Sequence, residues 1–292
     1  MTSEPASEIF ETKDGRRIGY CQWGQANGFP VLFLQGWPGS RLLGTLLQQA
    51  ASRRNVRLLT VDRPGIGLSS PLPNRTLLDW PKDIDALLAR LGISELALVG
   101  HSAGGAYAMA CNVGLGAKVK GMALLGSLGP IEVPAVSKTI PRLQRVIMQR
   151  SAGSKQLGWG LASAISAASH WAPDALIRVL LSSLSSADQE ILRRPAVLEA
   201  IKVDIAEALR QGPAGLAQEA AVNNGPWGLS LRDISGPVFL YHGHLDRSLP
   251  VEMGRVLAAA IPNCRATYPT HAGHYWFIDH FDEVLEHLLN NE

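Results

Sequence analysis

The stretch Gly100-His101-Ser102-Ala103-Gly104, with Leu96-Ala97-Leu98-Val99 leading into it and Gly105 to Asn112 following, decides how this chain is read. The apolar run predicts a strand, the alanine-rich segment predicts a helix, and the five residues between them form a tight turn. Glycines two before and two after the serine let strand and helix approach closely. A hydroxyl on such a turn stands clear of the sheet edge, which makes Ser102 a candidate nucleophile.

Composition narrows the possibilities around that turn. The chain has 292 residues, 46% of them hydrophobic, enough for one large core with an insertion. No run of about 18 apolar residues occurs, and the polar start Met1-Thr2-Ser3-Glu4-Pro5 carries an acid where a signal peptide would be basic. A soluble, cytoplasmic protein is therefore expected. Cys21, Cys111 and Cys264 are scattered and odd in number, which argues against a disulfide framework or a zinc site and for buried thiols. The formal charge of +2 is spread without a basic cluster, so neither nucleic acid nor an anionic membrane is an expected partner.

Short Val/Leu/Ile runs alternate with longer segments of helical period, as a parallel sheet covered on both faces requires. Arg17 to Trp23, Val31 to Leu34, Val56 to Val61, Leu96 to Val99, Val119 to Leu125, Val238 to Tyr241 and Arg265 to Tyr268 are the predicted strands. Leu42 to Ala51 reads as helix-like. Between residues 131 and 232 the strand-like runs stop, and Ala, Leu and Ser recur in helical spacing interrupted by Pro141, Pro173, Pro195, Pro213 and Pro226. The expected division is an α/β core over 1–130 and 233–292 with a helical cap over 131–232.

A serine hydroxyl needs a base within hydrogen-bond reach and a third group to fix that base. Asp246, in the loop after Val238 to Tyr241, is the candidate carboxylate, and His274, after the last predicted strand, is the candidate general base. His271 competes for the base and Glu132 for the carboxylate, while His242 and His244 are loop histidines near the pocket. Backbone amides of Trp37 and Ala103 are the candidate oxyanion donors; Pro38 has no amide hydrogen to give. Trp159, Trp171 and Trp227 lie in the cap, whose apolar content points to a largely hydrophobic substrate. Trp37, Gln35 and Trp227 are the candidate substrate-binding residues. Glu219, Asn223 and Asn224 are expected to serve as helix caps.

With these segments assembled, the chain resembles the α/β-hydrolase superfamily, in particular its capped esterase-like and peptidase-like members. The resemblance rests on Gln35 to Ser40, on Asp62-Arg63-Pro64-Gly65-Ile66-Gly67-Leu68-Ser69, on the turn around Ser102, on Gly243 to Pro250 and on Gly273-His274. It implies an eight-stranded, mostly parallel sheet, a Ser102, Asp246 and His274 triad, and neither metal nor organic cofactor. Gln35 stands where the family usually has histidine; it can brace the loop but cannot titrate near neutrality. Asp62 is expected to fix the turn that follows it. An aspartate nucleophile, as in haloalkane dehalogenases and epoxide hydrolases, does not fit Ser102. The expected reaction is hydrolysis of a small-molecule carboxylic ester or lactone through an acyl-enzyme. Carbon-carbon bond hydrolysis or a lyase reaction in the same site, or slow-turnover ligand reception, are the alternatives.

Overall fold

The computed structural model describes residues 7–153 and 155–290. Eight strands form one sheet: β1 (Glu8–Glu11), β2 (Arg17–Gly24), β3 (Phe29–Leu34), β4 (Val56–Val61), β5 (Leu96–His101), β6 (Val119–Leu125), β7 (Val238–Tyr241) and β8 (Cys264–Thr267). Their order is β1-β2-β4-β3-β5-β6-β7-β8. β1, β2 and β4 pair antiparallel, and the pairs from β4 through β3 to β8 are parallel. The first strand is absent from the seven read in the sequence. Glu8–Glu11 is a four-residue edge with alternating exposure, so it lacks the apolar run that marks the central strands.

The central parallel strands β3, β5 and β7 read as largely apolar runs because both faces are covered. Leu32 and Leu34 of β3 belong to one core with Leu87 and Leu88 of α2 (Trp80–Arg90) and Met109 of α3 (Gly104–Leu115). Val31 and Phe33 point to the opposite core, where α1 (Gln48–Arg53) packs. There the Phe33 ring lies 5.9 Å from both Phe277 and Phe281 of α12 (Phe277–Asn290). Phe277, Phe281, Val284, Leu285 and Leu288 form the buried stripe of that helix, the spacing of a 3.6-residue period. α11 (Val251–Ala260) joins β7 to β8. Leu42 to Ala51, expected as one helix, is a 3-10 turn over Arg41–Leu46 followed by α1.

Between β6 and β7 the described chain is helical: α4 (Pro134–Ser137), α5 (Arg142–Gly153), α6 (Lys155–Trp171), α7 (Pro173–Ser183), α8 (Ser186–Leu192), α9 (Pro195–Ala208) and α10 (Pro213–Asn224). The prolines act as starts: α7, α9 and α10 each begin on one, where the missing amide hydrogen costs nothing. Among the described residues no helix is long and apolar enough to cross a membrane.

Candidate active site

Ser102 sits at φ 55° between β5 and α3, a left-handed conformation that a non-glycine residue adopts only when its surroundings enforce it. The surroundings are tight. A side chain at Gly104 would overlap the carbonyl of Leu34, so the helix can start this close to β3 only on glycine. The Ser102 amide donates to Leu125 O at 3.0 Å, and its carbonyl accepts from Leu128 N at 2.9 Å. The turn is thereby tied to the segment leaving β6.

That same segment meets the other two residues. Gly126, at φ 48°, lies so close to them that a Cβ would stand 3.0 Å from Asp246 Oδ2 and 3.1 Å from His274 Nδ1. Asp246 and His274 are 2.7 Å apart at those atoms, and both are buried. The other Asp246 oxygen accepts the amides of Ser248 at 2.8 Å and Leu249 at 2.9 Å. This loop geometry orients the carboxylate independently of the imidazole. The segment after β6 thus touches all three, holding Ser102 through Leu125 and Leu128 and meeting Asp246 and His274 at Gly126, at the carboxyl edge of the parallel sheet.

Electrostatics follow from burial and charge. Burial pulls the His274 imidazolium down, but the Asp246 carboxylate and its hydrogen bond outweigh that, with Asp188 adding to them, and the ring ends above its ordinary value. For Asp246, burial alone would push the carboxyl up, yet the charge of His274 holds it below the usual carboxylate range. The two directions have one cause: the imidazolium and the carboxylate stabilise each other when both are charged.

Two further histidines lie against this pair. His101, whose role the sequence does not signal, is buried with its ring 4.7 Å from that of His274, and its Nε2 lies 3.2 Å from His274 O. Burial, then the neighbouring imidazole, drives it well below its ordinary value, so it stays neutral. His242 is buried with Nε2 2.9 Å from Leu249 O and 3.5 Å from Asp246 Oδ2. His271 and His244 are exposed. Glu132 is also exposed, and its carboxylate accepts the Trp227 amide at 2.9 Å, away from His274.

The loop after β3 lies against the serine: a Cβ on Gly36 would stand 3.1 Å from Ser102 Cβ. Among the described residues the amides of Trp37 and Ala103 donate to no protein oxygen, so both remain available to a ligand. Gln35 is fully buried, its Nε2 donating to Val61 O at 3.0 Å. It braces the loop, and its side chain is shut away from any substrate. The carbonyls of Gln35 and Gly36 accept from Arg63 Nη1 at 2.6 Å and Nη2 at 2.8 Å. Arg63 in turn pairs with Glu219 of α10, both completely buried. Glu219 is therefore a long-range ion-pair partner within α10, not the helix cap expected of it. Asp62 accepts Leu68 N at 2.9 Å and pairs with Arg41 at 2.6 Å, as its turn-fixing role requires.

Trp37 is half-buried with its indole donating to Leu216 O at 3.2 Å. Trp227 is packed away at 1% exposure in the core containing Tyr107 and Leu77, its indole donating to Asn223 O at 3.0 Å. An enclosed indole has no free face for a ligand, so Trp227 is not brought to the triad. Trp171 points to solvent at 81% exposure. Trp159 instead lines a cavity of about 940 Å³ between residues 71–77, α6 and α10, which contains none of Ser102, Asp246 and His274. Among the described residues no cluster of three or more His, Cys, Asp or Glu is arranged to hold a metal ion.

The sheet order, the turn at Ser102 and the Asp246–His274 pair define an α/β hydrolase, and the chain belongs to the alpha/beta hydrolase family, whose sequence model matches residues 31–287. Esterase and haloperoxidase relatives accompany it. The non-heme chloroperoxidase CPO-A1 of Kitasatospora aureofaciens is 38% identical over 101 residues, 33% of this chain and 35% of that protein. The chain thus spans about a third of the length of that curated relative. The 2-hydroxymuconate semialdehyde hydrolase of Pseudomonas putida is 25% identical over 276 residues, 91% of this chain and 88% of that one. Among solved structures, esterase RhEst1 from Rhodococcus sp. ECU1013 superposes with a TM-score of 0.69 at 24% identity, covering 97% of this chain and 99% of the other.

Proposed function

We propose that the protein is a serine hydrolase cleaving a carboxylic ester or lactone of a small, largely apolar molecule through an acyl-enzyme. The observation that carries this is the buried Asp246–His274 hydrogen bond at 2.7 Å beside a serine held at φ 55°. His274 Nε2 takes the Ser102 proton as Oγ attacks the acyl carbon. The amides of Trp37 and Ala103 receive the oxyanion. His274 then returns the proton to the leaving alcohol oxygen, and water repeats the cycle to release the acid. Asp246 holds Nδ1–H throughout and stabilises the transient imidazolium.

Apolar surroundings support an apolar substrate: Trp37 and Tyr275, which adjoins His274, are partly buried against the core that α6, α7 and α9 share with the sheet. Mixing the protein with excess p-nitrophenyl acetate or butyrate tests the mechanism. A burst of one p-nitrophenol per chain, followed by slower turnover, is expected. Linear release with no burst and no dependence on Ser102 argues against an acyl-enzyme.

Carbon-carbon bond hydrolysis in the same site is the second reading, favoured by the near full-length likeness to the 2-hydroxymuconate semialdehyde hydrolase. Comparing rates on that substrate and on short esters separates the two.

A further inference from the structure

Asp188 lies on α8, in the helical segment between β6 and β7, and is completely buried. Local capping explains half of its bonding: Oδ2 accepts from Ser185 Oγ at 2.7 Å, and the Asp188 amide donates to Ser185 Oγ at 3.2 Å. The other half reaches across the molecule. Asp188 Oδ1 accepts the Tyr275 amide at 2.7 Å, and the carboxylate fills the space that a side chain on Gly273 would need. The residues immediately before and after His274 are thus both moulded around one carboxylate. Asp188 makes no ion pair with Lys or Arg among the described residues. A buried carboxylate without a cation is costly to keep, unless a cation forms beside it during the reaction.

We propose that Asp188 is a second, positioning carboxylate for His274, fixing the base loop through the Tyr275 amide and stabilising the imidazolium in addition to Asp246. This rests on the Ser102, Asp246 and His274 reading. The groups facing His274 are Asp246 from the loop after β7, His242 behind that carboxylate, His101 from β5, Tyr275 beside it and Asp188 from α8. His101 and His242 are held below their ordinary values by burial, which disfavours their charged forms. That leaves Asp246 and Asp188 as the anions that oppose burial, and the Asp188 charge does raise His274.

The test is the pH dependence of phosphonylation of Ser102 by a fluorophosphonate, which reads His274 without needing the natural substrate. Asp188→Asn keeps an acceptor for Tyr275 and removes the charge. The acid limb of the rate profile is expected to move to lower pH, because the imidazolium loses an anion. The plateau rate is expected to fall about tenfold, because a weaker base drives proton transfer less well. Coincident limbs in wild type and variant, with or without a lower plateau, overturn the proposal and leave Asp188 a packing residue. Should Asp188→Asn not fold, Asp188→Ser removes the same charge while leaving room for water at the Tyr275 amide, and the same two quantities decide. Wild-type protein that takes no label overturns the hydrolase reading and this proposal together. Labelled wild type with an unmoved limb overturns this proposal alone.

Discussion

At the scale of single residues, the proposed chemistry rests on the Ser102 hydroxyl and the His274 imidazole that Asp246 holds. Ser102→Ala and His274→Ala are each expected to lower kcat on short esters by on the order of 10⁴ or more, since members of such a unit fail together. Circular dichroism should stay native. Gly126→Ala is a finer probe. Its methyl would meet Asp246 and His274 at about 3 Å in a left-handed backbone that costs roughly 1 kcal/mol for any residue with a Cβ. We expect kcat to fall about tenfold to a hundredfold with KM nearly unchanged, because misorientation of a base costs rate and not binding. An unchanged kcat in steady-state assays would separate Gly126 from the pair it touches.

At the scale of elements, α10 and the loop after β3 behave as one piece, joined by Arg63 and Glu219. Glu219→Gln leaves the guanidinium buried without its counter-charge and is expected to destabilise by about 3–5 kcal/mol in urea titration. A loss below about 0.5 kcal/mol would mean that the pair does not carry α10. β4, β6 and β7 were legible in the sequence to the residue, because strands buried on both faces are mostly apolar: Val238–Tyr241 is apolar at every position, and Val56–Val61 and Val119–Leu125 carry their one charged residue, Arg57 or Lys120, near the start. Glu8–Glu11 was not, since an edge strand paired only to β2 keeps two acids. The Asp246–His274 pair was legible for a different reason: strand ends followed by Ser, Asp and His in that order restrict where their side chains can meet. Glu219, Asp188 and His101 were hidden, because their partners lie far along the chain and no local spacing marks a contact between distant segments. Trp227 misled for the converse reason, an aromatic in the right segment that packs inward.

At the scale of the whole molecule, pH couples chemistry to folding. His274 must be neutral to act as base and is raised above its usual 6.5, so kcat/KM on small esters should fall on the acid side with an apparent midpoint above that value. A midpoint below it contradicts the Asp246–His274 pairing. The raised imidazole stabilises the fold below its unfolded value and loses that contribution as pH rises through its folded one; the depressed Asp246 does the reverse on the acid side. Asp204 of α9 acts differently. Burial raises it to about 7 even though Ser40 donates to it twice. An acid that holds its proton more tightly when folded stabilises most below its unfolded value of 3.8 and loses that contribution as pH climbs to about 7. Asp204→Asn should therefore flatten the fall in Tm across that interval, measured by calorimetry, and a parallel curve would show that Asp204 does not titrate there. The central claim is narrower than any of these: one hydroxyl, on the turn after β5, becomes the covalent carrier. Peptide mapping of fluorophosphonate-treated protein tests it most directly. A single phosphonyl group on the peptide bearing Ser102, absent in Ser102→Ala and slow to form in His274→Ala, is the predicted result; an adduct on any other residue, or one that persists in Ser102→Ala, would contradict it.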